Sequence, residues 1–157
     1  MSKTISYSGT LDMGTQDKIK LSTLKGKIGY KITKFQLMPT APGTANYEYV
    51  GKISSNDQTG SIGTTINFTD STLLAAIYQP GKSSDSISPI VTIFDNKIFN
   101  QDIFVNITDA SGATNPCNYY IELKTMKLTD IETTMLTLQN IRTITAPTGA
   151  AWVNNII

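Results

Sequence analysis

Apolar side chains recur at every second position along most of this chain, in short runs separated by glycine, proline, asparagine and aspartate. In one such run Ile28, Tyr30 and Ile32 alternate with polar residues such as Lys31. A period of two is that of a β-strand with one buried face. Short strands with turns about every 8–12 residues are typical of β-sandwiches, including jelly rolls. The sequence therefore predicts an all-β fold, a single jelly-roll-like β-sandwich with one or two short helices.

The expected strands follow the apolar runs. The sequence also predicts one irregularity within a strand and the pairing of two strands. After Lys34 the alternation shifts by one residue to Phe35 and Leu37, which predicts a β-bulge or a strand buried on both faces. The last two strands flank the turn-forming segment Asp109–Gly112, which predicts that they pair as a hairpin. The strands are expected near residues 5–11, 19–21, 28–37, 47–54, 61–68, 88–94, 102–108 and 118–128.

Two segments carry helix signals. Thr69-Asp70-Ser71 precedes the good helix formers of residues 72–78, which predicts one or two helical turns. Thr129 and Glu132 have the spacing of a capping box. A helix over residues 130–140 would place Ile131, Met135, Leu138 and Arg142 on one face, so a short helix is favoured there. The threonine-rich composition leaves a strand as the alternative.

The end of the sequence differs from the rest in being apolar and uncharged. We expect a β-sandwich domain over residues 1–149 and an apolar C-terminal tail over residues 150–157. Large aromatic side chains bury much area with few rotatable bonds, which suits a docking segment. Docking on the same domain and docking on a neighbouring subunit are equally compatible with the sequence. The candidate interface residues of the tail are Trp152, Val153, Ile156 and Ile157.

Reactive side chains are scarce. The 157 residues include no histidine and one cysteine, Cys117, which excludes Ser-His-Asp and Cys-His catalysis, His-containing zinc sites and an intrachain disulfide. No glycine-rich phosphate loop is present. Asp95, Asp102 and Asp109 could bind a calcium ion, but their spacing fits no calcium loop and ordinary turn hydrogen bonds are favoured. We expect no enzyme, no catalytic residue, no metal and no cofactor.

The net charge of +1 conceals an uneven distribution, because residues 1–34 hold seven lysines against two aspartates. Lys18, Lys20, Lys27 and Lys31 are therefore candidate interface residues. The alternative is a solvent-facing lysine surface that discourages aggregation between strand edges. A single arginine makes nucleic-acid binding unlikely on chemical grounds. No apolar run has the length of a signal peptide or membrane helix, so we expect synthesis in the cytoplasm and no membrane partner.

Several segments between residues 28 and 143 resemble small proteins of marine tailed bacteriophages. That resemblance implies a virion structural protein on the capsid surface, a decoration or capsid-associated protein. Its partners would be the major capsid protein and copies of itself, in a symmetric homo-oligomer such as a trimer. The segments are Gly29–Pro39, Thr72–Ala76, Ile93–Asn96, Ile98–Ile103, Cys117–Leu123 and Thr137–Arg142.

Three other functions stay open at this point. A surface module that binds carbohydrate or a receptor would use exposed aromatics beside Asp or Asn, and Tyr47, Tyr49, Asp95 and Asn96 offer that chemistry. A neck or tail adaptor of the particle is the second alternative. An enzyme ranks last, because the chain lacks the usual catalytic groups.

Overall fold

Two antiparallel sheets face each other across one apolar core in the computed structural model, which describes residues 2–42, 47–81, 88–94 and 97–145. Sheet A has the strand order β1-β8-β3, and sheet B has the order β2-β7-β4-β5-β6. A single α-helix of these residues, α1, spans Asp130–Thr145. The strands are β1 (Lys3–Leu11), β2 (Thr15–Ile19), β3 (Ile28–Pro39), β4 (Glu48–Ser54), β5 (Leu73–Pro80), β6 (Ile90–Ile93), β7 (Ile103–Asp109) and β8 (Cys117–Lys127).

The strand order has the nested pairing of a jelly roll. β1 pairs with β8, β2 with β7, and β4 with β5, all antiparallel. The remaining pair of that nested pattern, β3 with β6, is incomplete: the two strands lie side by side, but β6 is hydrogen-bonded to β5. The predicted all-β sandwich of the jelly-roll type is confirmed.

The core forms because alternate residues of both sheets point inward. Ile103, Val105 and Ile107 of β7 are fully buried, as are Ile121 and Leu123 of β8. These two strands belong to different sheets, so the predicted β7–β8 hairpin is wrong. The turn after β7 carries the chain across to the other sheet, and the two apolar faces meet through the core. Alternation shows which face is buried but not which strand lies alongside.

The β-bulge predicted in β3 is confirmed. The register of β3 against β8 shifts between Ile32 and Lys34. The shift returns Phe35 and Leu37 to the core face on which Ile32 already lies. Gly51 of β4 packs against these side chains, and a Cβ atom there would lie 2.8 Å from Cγ2 of Ile77.

Two local predictions are wrong. Residues 73–77, predicted to be helical, are five consecutive buried residues at the start of β5. A fully buried strand shows no alternation, so it cannot be told from a buried helix by its pattern. Asp70 does bind like a cap, because its Oδ1 accepts the N–H of Thr72 at 2.9 Å, but a strand follows. Residues 61–68 form no strand and belong to the long β4–β5 connection.

The helix predicted over residues 130–140 is confirmed and continues to Thr145. The predicted capping box is formed: the N–H of Thr129 donates to Glu132 Oε1 at 2.9 Å, and the N–H of Glu132 donates to Thr129 Oγ1 at 3.2 Å. The predicted tail, residues 150–157, lies outside the described residues.

Candidate subunit interface

Helix α1 begins at a well-defined position on the surface of the sandwich. Lys27, just before β3, forms an ion pair with Asp130 at 3.1 Å. Hydrogen bonds from the backbone and hydroxyl of Thr129 lower the pKa of Glu132 below its ordinary value. Both acidic side chains lie in the first turn, where the helix dipole favours negative charge. The sequence thus fixes where α1 starts and how it leaves β8.

The face by which α1 packs on its own domain carries two threonines and the partly buried Leu136. Thr133 and Thr137 lie beside Gly26, whose lack of a side chain leaves room for them. Asn100 is almost fully buried, and its Nδ2 donates to Gly26 O at 3.0 Å and to Thr137 Oγ1 at 3.3 Å. A surface helix ordinarily turns its apolar stripe toward the core. In α1 two threonines share that side with a single leucine, Leu136.

The apolar face of α1 is exposed. Ile131 is 73% exposed, Met135 65% and Leu138 55%. We call these three residues the α1 stripe. Their spacing of four and then three residues places them along one line of the helix, which is the spacing that lets one helix pack against another. The stripe can therefore bury apolar surface against a partner without any change in the domain beneath it.

The edge strands of the two sheets are a second surface on which a partner could bind. Sheet A ends in β1 and β3, and sheet B ends in β2 and β6. On β6, Ile90 is 60% exposed and Val91 41%. Edge strands with exposed apolar side chains are sites where another chain can pair.

The four candidate lysines do not form one patch. Lys18 forms an ion pair with Asp102 at 3.5 Å and lies 5.9 Å from the ring centre of Phe104, on the outer face of sheet B. Lys31 pairs in register with Lys124 on the outer face of sheet A. Lys20 is exposed just after β2. Of the four, Lys27 is the one in contact with α1.

The aspartates considered for calcium have other partners. Asp102 precedes β7 and Asp109 ends it, so about 23 Å of strand separates them. The Oδ1 atom of Asp109 accepts the N–H groups of Glu48 at 3.0 Å and of Ser111 at 2.9 Å. These are the turn bonds favoured from sequence. Asp95 lies outside the described residues, which hold no cluster of three or more Cys, Asp and Glu side chains suited to a metal ion.

The aromatic pair considered for sugar binding is largely internal. Tyr49 is fully buried, and its burial raises its pKa to about 12. Tyr47 is half-buried and stacks on Tyr49 with 4.9 Å between ring centres. Asn96 lies outside the described residues, like Asp95. Cys117 is also buried, which raises the pKa of its thiol to about 12 and keeps it protonated at neutral pH.

The α1 stripe was absent from the candidate interface residues, although its three members were expected to share a helical face. An apolar face predicts burial but not the partner that buries it. The signal in the sequence was the pair of threonines at positions 133 and 137, which face the domain; the hydroxyl of Thr137 accepts a hydrogen bond from Asn100 Nδ2 there.

Comparison with known proteins adds little to this geometry. No protein-family model and no curated protein matches the sequence. Among solved structures, the chain is similar to that described as "The three-dimensional structure of Cocksfoot mottle virus at 2.7A resolution", with a TM-score of 0.37 and 9% identity, over 83% of this chain and 96% of that one. The fold assignment rests on the strand order described above. No helix within the described ranges is long and apolar enough to cross a membrane.

Proposed function

We propose that this protein is a non-enzymatic structural subunit of a bacteriophage particle. In this proposal it is a decoration or capsid-associated protein that binds the major capsid protein on the capsid surface as a symmetric homo-oligomer. The observation that carries the proposal is the orientation of α1, which packs on its own domain through Thr133, Leu136 and Thr137 and exposes the α1 stripe. The resemblance of residues 28–143 to small phage proteins supports the same class of function.

The α1 stripe supplies a limited amount of binding energy per copy. Fully burying one such side chain contributes about 1.5–3 kcal/mol, so three partly exposed ones contribute about 3–6 kcal/mol before the cost of association. That is too little for a tight isolated dimer. Repetition of the contact over a symmetric shell raises the overall attachment strength, because each bound copy raises the effective concentration of the next contact.

Other contacts then complete the interface. Lys27 joins the α1 surface through its ion pair with Asp130. The other candidate contacts from sequence stay part of the proposal: Lys18, Lys20, Lys31, Trp152, Val153, Ile156 and Ile157.

The proposal is tested by placing charge on the stripe. The double variant Met135→Lys, Leu138→Lys should unfold at the wild-type temperature, because both side chains are exposed and leave the core untouched. It should lose self-association in sedimentation velocity and lose incorporation into particles. Leu24→Lys is the matched control, since Leu24 is fully exposed and undergoes the same apolar-to-cation change. Incorporation of the double variant at the control level would refute the interface.

Copy number in purified particles separates decoration from the neck or tail adaptor. A decoration protein should be present in proportion to the major capsid protein, measured by quantitative mass spectrometry of both chains. Six or twelve copies per particle, enough for a single ring, would favour the adaptor. Absence from particles would refute a virion role altogether.

A further inference from the structure

The long connection between β4 and β5 lies over the outer face of sheet B. We call residues 56–67 of this connection the strap. Its base is closed by a hydrogen bond from Ser55 N to Thr72 O at 2.9 Å. Just beyond the strap, Phe68 packs edge to face on Phe94 with 5.2 Å between ring centres. Both ends of the strap are therefore fixed, as in the compact surface loops that often carry function.

Between its ends the strap is held by side chains of sheet B. Within the described part of the chain, no backbone–backbone hydrogen bond joins the strap to a strand. The contacts come instead from one side chain on each of three neighbouring strands. Gln16 of β2 bonds to Asp57, Gln58 and Thr59, Lys52 Nζ of β4 donates to Thr65 O at 2.9 Å, and Thr108 Oγ1 of β7 donates to Gly63 O at 3.1 Å.

The strap itself buries little. None of its residues is fully buried, and its two large apolar side chains, Ile62 and Ile66, are half-buried. Segments with few buried apolar contacts are those that open locally while the rest of a protein stays folded. Opening the strap would break the bonds of three side chains and leave the core between the sheets intact.

Asn106 of β7 lies beneath the strap. It is in register with Gln16 on one side and Lys52 on the other, and it faces outward because Val105 and Ile107 point into the core. Asn106 is fully buried, yet neither its Oδ1 nor its Nδ2 has a hydrogen-bond partner among the described protein groups. A buried amide without partners has a free-energy cost that contact with water removes. Closure of the strap carries this cost.

We propose that the strap is a lid that opens over sheet B while the sandwich stays folded, and that the unpaired amide of Asn106 favours the open state. Opening brings this amide into water, together with the side chains of Gln16, Lys52 and Thr108. These four residues form a polar strip across three strands, which the closed lid covers. The lid does not rest on the proposed virion role.

Thiol labelling of the full chain tests the lid. Val50 is buried on the outer face of β4, in register with Thr108, so Val50→Cys places a thiol under the strap and removes none of its bonds. Cys117 of the same chain lies in the core and reports global unfolding. At neutral pH a maleimide should label the introduced thiol at least about tenfold faster than Cys117, as followed by peptide mass spectrometry. Low urea should change the faster rate little, because a local opening exposes little surface.

Second changes in the Val50→Cys chain separate the parts of the lid. Asn106→Leu keeps a branched side chain and removes the unpaired amide, so labelling of the introduced thiol should slow about tenfold. Thr108→Val removes a bond to the strap and should speed labelling about fivefold. Asn118→Leu is the matched control, because Asn118 lies in sheet A and its Oδ1 accepts a hydrogen bond from Thr10 Oγ1. Labelling of this control should match its parent.

Two results would overturn the proposal. Equal labelling rates for the introduced thiol and Cys117 would show that the strap opens only when the whole domain unfolds. An Asn106→Leu chain that labels as fast as its parent would show that the amide does not oppose closure. If circular dichroism shows that Asn106→Leu is unfolded, Asn106→Val removes the same amide with less bulk, and the same slowing is expected. The comparison with Cys117 needs no change at Asn106.

Discussion

Asp102 links the segment after β2 to the start of β7, and its replacement gives a stability change whose size and pH dependence can both be stated. The Oδ1 atom accepts the N–H groups of Leu21 at 2.8 Å and Ser22 at 2.9 Å, and Oδ2 lies 3.5 Å from Lys18 Nζ. Hydrogen bonds to charged groups contribute about 1.5–3 kcal/mol each, against about 0.5–1.5 kcal/mol for neutral ones. Asp102→Asn keeps an acceptor but loses the charge, so we expect a loss of about 2 kcal/mol. Asp102→Ala loses both bonds and should cost about 3–5 kcal/mol.

The pH dependence follows from the pKa of the same carboxyl group. Burial alone would raise the pKa of Asp102, but the hydrogen bonds from Ser22 and Leu21, with Lys18, outweigh it and hold the pKa below its ordinary value. A lowered native pKa gives stability that is present above the unfolded pKa, near 3.8, and is lost as the pH falls through the native pKa. The deficit of Asp102→Asn should therefore be full at pH 7 and shrink in acid.

Urea unfolding followed by circular dichroism measures both effects. Wild type, Asp102→Asn and Asp102→Ala are compared at neutral pH, and the first two also across the acid range. Asp12→Asn is the matched control, because Asp12 is exposed in the β1–β2 turn and we expect a change within about 0.5 kcal/mol. Equal stability of wild type and Asp102→Asn at neutral pH would refute the reasoning. A deficit that stays constant in acid would refute the part that rests on charge.

Three further predictions concern the core and the helix. Cys117 should react with a maleimide only after unfolding, because it is buried and its pKa is raised to about 12; rapid labelling of native protein would contradict its burial. Ile121→Ala should destabilise the fold by about 2–5 kcal/mol in urea unfolding, since Ile121 is fully buried between the sheets, whereas a cost below about 1 kcal/mol would mean that the core is loosely packed. Thr129→Ala should weaken α1 by about 1 kcal/mol through loss of the cap, seen as faster amide exchange in its first turn, and unchanged exchange would show that the cap is dispensable.

The sequence predicted the faces of strands more reliably than their neighbours. The apolar alternation shifts by one residue between Ile32 and Phe35, and this shift correctly predicted the bulge in β3. It could do so because the direction of a side chain is a local property of the strand. The pairing of β7 and β8 failed because pairing depends on the path of the connection, which alternation does not encode. The helix predicted at residues 73–77 was wrong for a related reason. A strand buried on both faces lacks the two-residue period that distinguishes a strand from a helix.

The candidate interface was only partly accessible from sequence. The face shared by Ile131, Met135 and Leu138 was predicted, since 3.6-residue periodicity is local. Its exposure depends on the side by which α1 packs, and that side is set by Asn100 and Gly26, which are distant in sequence. Contacts between residues far apart in the sequence produce no periodic pattern from which they could be predicted.

The closure of sheet A has a consequence for how the chain folds. Its central strand is β8, so Lys3 pairs with Thr125 and neither β1 nor β3 has a sheet A partner until the chain has been made as far as β8. Contacts between residues so far apart in the sequence form slowly, so β1 and β3 remain without their sheet A partner during synthesis. The lysines concentrated in residues 1–34 lie on and beside these waiting strands, where positive charge opposes pairing with other unfinished chains. The uneven charge of this protein is therefore placed where it can oppose such pairing before the domain is complete.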